Sequence, residues 1–192
     1  MRTLLLIATL ATTLLASVPF AHGQGAAGTR DPRVYFTDTS LTNQDGRQVR
    51  FYADALHGRT VVLNVGYTSC NEACPLITRQ LLQVRNELGP AFGKQVFFVT
   101  LTSDPDNDTP QALKKFAQKH GADVAGWTFL TGRKSDVDLI LKRLGAYSEA
   151  VEEHATVLYV MDVDAKRMRR MLPNLPPKAI AEAARLVATN GK

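Results

Sequence analysis

The chain contains few cysteines and few aromatic residues for its length. It has 192 residues, of which two are cysteines and 7% are aromatic. Two cysteines are too few to form a disulfide-stapled scaffold, so a hydrophobic core must stabilise the fold, and this length suffices to bury one. With 45% hydrophobic and 21% charged residues, the composition is that of a soluble globular protein and excludes disorder, collagen and coiled coil. The length favours one domain.

Dense blocks of a single charge are also scarce, although the chain is basic overall. The formal net charge is +5, and the densest basic stretch is Lys166-Arg167 with Arg169-Arg170. Such a short stretch is more typical of a solvated strand edge or turn than of a nucleic-acid interface. We therefore expect no nucleic-acid partner.

The amino terminus has the pattern of an export signal. Arg2 precedes an apolar run from Leu4 to Val18, and the small residues Ala21 and Gly23 follow. An uncleaved membrane anchor, which would associate the protein with a membrane, is the less favoured alternative because this run is shorter than the ~20 residues that span a bilayer. We expect a periplasmic or other extracytoplasmic location, where disulfides form. The expected organisation is a signal peptide over residues 1–23, a linker over 24–33 and a domain over 34–190.

Strands and helices alternate along the rest of the chain. Hydrophobic patterning predicts strands at 34–36, 49–52, 60–66, 95–101, 127–130, 155–161 and 167–171. Helices are expected after Pro75, after a Thr109 cap, after a Ser135 cap and around Ile180 to Val187. This order predicts an α/β fold with a mixed central sheet flanked by helices and an N-terminal β-hairpin extension. It resembles the order of a thioredoxin-like domain.

Cys70 and Cys74 lie in the loop between the strand at 60–66 and the following helix, at the sheet edge where α/β folds bind ligands. Pro75 is typical of the first helical position, which predicts Cys74 as the N-cap and lowered pKa values for both thiols. The three-residue spacer is longer than that of a thioredoxin-type redox pair. We expect a pair that both chelates a metal and exchanges with a disulfide. An inert disulfide would close too short a loop to stabilise the fold much.

Four histidines are candidates for a third ligand. His22 belongs to the signal peptide, His57 to an expected exposed turn and His120 to the end of a helix. His154 directly precedes the strand at 155–161, where thioredoxin-like domains usually place a cis-proline that faces the dithiol. The resemblance in fold therefore favours His154. The methionines at 161, 168 and 171 are expected to pack rather than to bind metal.

Three sequence elements occur together: Gly66-Tyr67-Thr68-Ser69-Cys70-x-x-x-Cys74-Pro75, Ser103-Asp104-Pro105-Asp106-Asn107-Asp108-Thr109-Pro110, and His154 ahead of its strand. With them, the chain resembles the SCO/SenC family of copper-binding, thioredoxin-like proteins from about Thr42 to about Val187. The resemblance implies that Cys70, Cys74 and His154 bind copper, as Cu(I) and also as Cu(II), with Asp104 as a supporting residue. The spacer Asn-Glu-Ala, the alanine after His154 and the segment 162–177 depart from the family's usual residues.

Two thiolates and one imidazole form a soft donor set that suits Cu(I), and zinc takes such a set when water completes it. The resemblance implies a copper chaperone that delivers copper to a respiratory oxidase, or reduces the cysteines of the oxidase's copper site. The partner would be the copper-receiving subunit or another copper protein. The alternative is a copper-independent thiol-disulfide oxidoreductase of exported proteins, with Cys70 and Cys74 as its catalytic pair and a thiol-disulfide reductant as its partner. A binding module with a structural disulfide is a third reading.

Overall fold

The computed structural model describes residues 31–154 and 156–189, so the expected signal peptide and residues 24–30 of the linker lie outside the described residues. Five α-helices and seven strands follow one another within these ranges, with a π-helix at Phe51–Leu56 and 3₁₀ turns at Gly89–Ala91 and Val151–Glu153. The helices are α1 (Pro32–Phe36), α2 (Ala73–Leu88), α3 (Pro110–Lys119), α4 (Lys134–Leu144) and α5 (Pro177–Thr189). The strands are β1 (Ser40–Asn43), β2 (Gln48–Arg50), β3 (Thr60–Gly66), β4 (Val96–Thr102), β5 (Trp127–Thr131), β6 (Leu158–Asp162) and β7 (Arg167–Met171).

The seven strands form one mixed sheet in the order β2-β1-β5-β4-β3-β6-β7. Strands β3, β4 and β5 are parallel, whereas β1 pairs antiparallel with β5, and β6 antiparallel with β3. Strand β3 lies inside the sheet between β4 and β6, and all seven of its residues are buried. The sheet confirms the predicted α/β fold with a mixed sheet, and it places the carboxyl ends of β3 and β4 side by side.

Successive side chains of a strand point to opposite faces of the sheet, so the buried strands present apolar side chains on both faces. Helices cover each face. Val61 and Leu63 of β3 pack in the hydrophobic core that α4 completes, and Val62 packs in the core shared with α2, α3 and α5. The second core contains Trp127, which is 2% exposed. The Trp127 indole N–H donates to Thr100 Oγ1 at 3.0 Å, and the Thr100 hydroxyl donates to Asn64 Oδ1 at 2.8 Å. The polar side-chain groups of Asn64, Thr100 and Trp127 on the central strands therefore have hydrogen-bond partners.

The amino-terminal elements differ from the prediction. Residues 34–36 belong to helix α1 rather than to a strand, because the Asp31 carboxylate accepts from the Arg33 N–H at 2.9 Å and Pro32 opens the helix. The expected strand at 49–52 ends at Arg50, and the chain continues as the π-helix. The predicted hairpin is nevertheless present, since β1 pairs with β2. The turn between them is closed by the Gly46 N–H, which donates to the Asn43 carbonyl oxygen.

Two later boundaries also differ from the prediction. Helix α4 begins at Lys134 with Arg133 as its N-cap, so Ser135 is inside the helix rather than its cap. Strand β6 begins at Leu158 instead of Ala155, because its pairing with β3 starts at Asn64. His154 therefore ends the 3₁₀ turn instead of directly preceding the strand. No helix within residues 31–154 and 156–189 combines the length and the hydropathy needed to cross a bilayer.

Candidate metal centre

The two cysteines lie at the junction where β3 ends and α2 begins. The helix starts at Ala73 with Glu72 as its N-cap, so Cys74 is a residue of the first turn, and its prediction as the cap was wrong. Pro75 is the third helical residue, two positions later than expected, and is tolerated there because the first-turn N–H groups of a helix have no intrahelical partner. As a result Cys74 is turned inward and only 5% exposed, whereas Cys70 precedes the helix and is partly exposed. Both are free thiols.

Cys70 takes the place of a capping group at this helix end. Its sulfur accepts from the Cys74 N–H at 3.2 Å. Burial acts to raise the pKa of the Cys70 thiol, but hydrogen bonds from the Cys74 thiol and from the N–H groups of Cys74, Glu72 and Ala73 outweigh it and leave the pKa lowered. The positive end of the helix dipole thus favours a thiolate at Cys70, as predicted for this residue.

Cys74 behaves in the opposite way. Burial, followed by its hydrogen bond to the Cys70 sulfur, raises the pKa of the Cys74 thiol to about 12. The prediction that both thiols have lowered pKa values was therefore wrong for Cys74, because desolvation of an inward-facing thiol outweighs the helix dipole. The Cys74 sulfur lies against Gly66, where a Cβ would be only 3.3 Å from it. A glycine at the end of β3 leaves room for this sulfur.

His154 is buried, with 9% of its surface exposed. Its Nδ1 lies 2.7 Å from the carbonyl oxygen of Val151. A carbonyl oxygen can only accept, so the proton of the neutral ring is on Nδ1 and the lone pair is on Nε2. This is the arrangement that prepares a histidine to bind a metal through Nε2, with a backbone carbonyl orienting the ring.

Tyr67 contacts both halves of the expected site. Its ring meets the His154 imidazole edge to face, with 5.7 Å between the centroids. Burial raises the pKa of the Tyr67 hydroxyl, and the charges of Cys70 and Cys74 and a hydrogen bond to Cys70 raise it further. The side chain thus contacts His154 directly and lies close enough to the dithiol for the two cysteines to affect the pKa of its hydroxyl. Sequence reasoning assigned no role to Tyr67, although it lies within the Gly66–Pro75 element.

The described part of the chain contains no ready-made cluster of three or more His, Cys, Asp or Glu side chains that could hold a metal ion. The structure brings Cys70 and Cys74 together, and it connects His154 to this region through the ring contact with Tyr67, without bringing all three side chains into one cluster. The other described histidines have different partners. His57 lies before the start of β3, at the opposite end of that strand, with its Nδ1 3.0 Å from Asp164, and His120 packs on Phe116 at the end of α3.

Two aspartates of the second sequence element have different surroundings. Asp104, the expected supporting residue, accepts hydrogen bonds from the Asn107 side chain at 3.0 Å. Asp108 is 1% exposed, and its carboxylate accepts from the Thr68 N–H at 3.1 Å and from the hydroxyls of Thr68 and Thr102. Sequence reasoning missed Asp108. Its signal was present in the spacing, since Asp108 follows Asp104 by one turn and directly precedes the Thr109 cap of α3.

Comparisons with known proteins agree with this fold. A family model described as SCO1/SenC matches residues 28–189. An SCO1 protein homolog of Bacillus subtilis (strain 168) is 28% identical over 153 residues, which cover 76% of this chain and 78% of that protein. The solved structure of BsSco, a member of the Sco family of cytochrome c oxidase assembly proteins with a disulfide switch, is 26% identical. It has a TM-score of 0.66 and covers 80% of this chain and 93% of BsSco.

A copper-bound structure is also similar in fold. ScoI of Bradyrhizobium japonicum with copper bound is 20% identical, has a TM-score of 0.65, and covers 77% of this chain and 96% of that chain. At this identity the likeness shows the fold alone. Taken with the family match, these comparisons confirm the resemblance that the sequence elements indicated.

Proposed function

Because this chain belongs to the SCO1/SenC family, we propose that it is a copper chaperone that binds copper through Cys70, Cys74 and His154. The observation that carries the proposal is the pair of free thiols at the start of α2, where the Cys70 sulfur accepts a hydrogen bond from the first turn of the helix. His154 is connected to this region through Tyr67, and the hydrogen bond of its Nδ1 leaves the lone pair of Nε2 for a metal. The copper-bound structure of ScoI has the same fold, which is therefore a fold that can hold copper.

The donor chemistry fits copper as a cargo. Thiolates and an imidazole are soft or borderline ligands that suit Cu(I), and carboxylates are harder donors that suit other metals. Cys70 is the more exposed thiol and has the lowered pKa, so we assign it the first contact with incoming copper. Cys74 releases its proton when the metal binds, because only a thiolate is a strong ligand. His154 completes the set after a local movement of the loop around Tyr67 or of the 3₁₀ turn.

We propose that the protein acts outside the cytoplasm, on the copper-receiving subunit of a respiratory oxidase or another copper protein. The support is the export-signal pattern of residues 1–23 and the description of BsSco as a member of a family of cytochrome c oxidase assembly proteins. The mass of the exported protein tests the location, since cleavage after Gly23 removes 23 residues. A mass that retains them would favour an anchored protein.

Metal analysis of the reduced protein tests copper binding. We expect one copper per chain when copper and zinc are offered together, and none after Cys70 and Cys74 are oxidised to a disulfide, because disulfide sulfurs are poor ligands. Cys70→Ser should lose the copper, and His57→Ala, at the opposite end of β3, should keep it. Zinc in place of copper, or two ions unaffected by Cys70→Ser, would contradict the proposal.

A copper-independent thiol-disulfide oxidoreductase is the second candidate, and the different pKa values of the two thiols favour it. Cys70 has the features of an attacking thiolate, and Cys74 has those of a buried resolving thiol. The two functions differ at His154, which ligates only in the first. Reduction of a model protein disulfide by wild type and His154→Ala separates them. An oxidoreductase would keep its rate in the variant and would retain no copper even as wild type.

A further inference from the structure

The Asp108 carboxylate connects Thr68, which lies 40 residues earlier in the chain, with Thr102 at the end of β4. It accepts from the Thr68 N–H and hydroxyl on one side, and from the Thr102 hydroxyl at the end of β4 on the other. Thr68 precedes Cys70 by two residues, and the Thr102 hydroxyl also receives the Asp104 N–H at 2.9 Å. The segment that carries Cys70 is thereby fixed to the neighbouring parallel strand.

Hydroxyl and amide groups, but no cation, surround this carboxylate among the described residues, although Asp108 is 1% exposed. Burying a carboxylate without a positive partner is costly, and the hydrogen bonds only partly offset the cost. Burial accordingly raises the pKa of Asp108 despite these bonds. A local arrangement that opposes stability is expected where function requires it, and here the Asp108 charge also helps to raise the pKa of the Cys74 thiol.

We propose that Asp108 is a positioning residue of the dithiol. Its carboxylate holds the Thr68–Cys70 segment against the end of β4 and so fixes the Cys70 sulfur within reach of Cys74. Asp104, four residues earlier in the same sequence element, lacks this connection, since within residues 31–154 and 156–189 its carboxylate accepts side-chain hydrogen bonds from Asn107 alone. The inference concerns the same site as the proposed function, and it makes Asp108 rather than Asp104 the residue that the second sequence element contributes.

Exchange with glutathione measures this positioning without copper. The reaction converts two protein thiols and one glutathione disulfide into the Cys70–Cys74 disulfide and two glutathione thiols, so both electrons and both protons pass to glutathione. A freer Cys70 segment lowers the effective concentration of one thiol toward the other, and this opposes disulfide formation.

The variants are Asp108→Ala and Asp108→Asn, with Asp104→Asn as the matched control. We expect the equilibrium constant for disulfide formation to fall about tenfold in Asp108→Ala and less in Asp108→Asn, whose amide oxygen still accepts one hydrogen bond, and to stay within about twofold in Asp104→Asn. Oxidised and reduced fractions are read by alkylation and mass spectrometry. Urea unfolding of the reduced proteins is measured in parallel, and Thr68→Val replaces any variant that does not fold.

Equal equilibrium constants in Asp108→Ala and Asp104→Asn would overturn the proposal. So would a loss of unfolding free energy in Asp108→Ala with an unchanged equilibrium constant, because that pattern belongs to a purely structural residue. The test does not depend on copper binding. If the wild-type protein binds no copper, the proposed function fails and the comparison of Asp108 with Asp104 still decides the role of Asp108.

Discussion

Cys70 and Cys74 are four residues apart and occupy environments that affect their reactivity in opposite directions. Cys70 is partly exposed and receives hydrogen bonds from the first turn of α2, and Cys74 is buried within that turn. Because the thiolate is the nucleophile, both exposure and pKa make Cys70 the more reactive thiol. The pair is therefore expected to react in a fixed order with alkylating agents, partner disulfides and metals.

Alkylation with iodoacetamide at neutral pH should label Cys70 before Cys74. The folded protein holds the pKa of Cys70 below its ordinary value and that of Cys74 at about 12. Raising the pH should speed the labelling of Cys74 more than that of Cys70, which is already closer to full ionisation. Peptide mass spectrometry over a time course follows both sites. In urea the two rates should converge, and a faster reaction at Cys74 in the folded protein would contradict the assigned environments.

Replacing His154 by alanine should weaken Cu(II) binding far more than Cu(I) binding. Cu(I) is satisfied by two sulfur ligands, whereas Cu(II) prefers sites with nitrogen donors. Titrations with each ion, monitored for Cu(II) through the thiolate-to-copper charge-transfer band, measure the difference. His120→Ala is the matched control, since His120 lies at the end of α3. An unchanged band in His154→Ala would exclude His154 as a ligand.

The residues of the site could be predicted more fully than their environments. Cys70, Cys74 and His154 follow from residue type, order along the chain and resemblance. The buried state of Cys74 could not be predicted, because a shift of two residues in the start of a helix turns a side chain from solvent to core. Asp108 was missed for a related reason: the sequence shows two aspartates one turn apart, and only the packing of β3 against β4 distinguishes them.

At the scale of secondary structure, two strands were predicted most accurately. Strand β3 has the predicted bounds 60–66, and β7 has the predicted bounds 167–171. Strand β3 is almost continuously apolar, and a turn directly precedes β7. Residues 34–36 of α1 and the first two residues of the π-helix were predicted as parts of strands, because short apolar runs fit either structure and tertiary contacts decide between them.

The N-cap of α3 provides a test at this scale. The Thr109 hydroxyl accepts from the Ala112 N–H at 3.1 Å, as expected of a threonine at this position. Thr109→Ala should lower the free energy of unfolding by about 1 kcal/mol, and Thr109→Ser should restore most of it because serine retains the acceptor. Urea unfolding of the reduced protein provides the values. A serine variant as unstable as the alanine variant would show that the methyl group matters more than the cap.

At the scale of the whole molecule, copper binding should stabilise the fold. A ligand that binds only the native state adds about 2.7 kcal/mol at a free concentration of about 100 times its dissociation constant. For a domain of this size that corresponds to a rise of roughly 5–10 °C in Tm. Calorimetry of the reduced protein with and without Cu(I) measures the rise. The Cys70→Ser/Cys74→Ser protein is the control, and an equal rise in it would place the copper elsewhere.

The only tryptophan of the chain gives these experiments a built-in optical signal. Trp127 stacks on Phe129 at 5.5 Å between centroids and is closed off from water in the folded state. Its fluorescence should therefore be emitted at shorter wavelength in the native protein than in urea, with one emitter and no label. Since the indole is connected through Thr100 to Asn64 of β3, the same emission reports on the strand that ends at the dithiol.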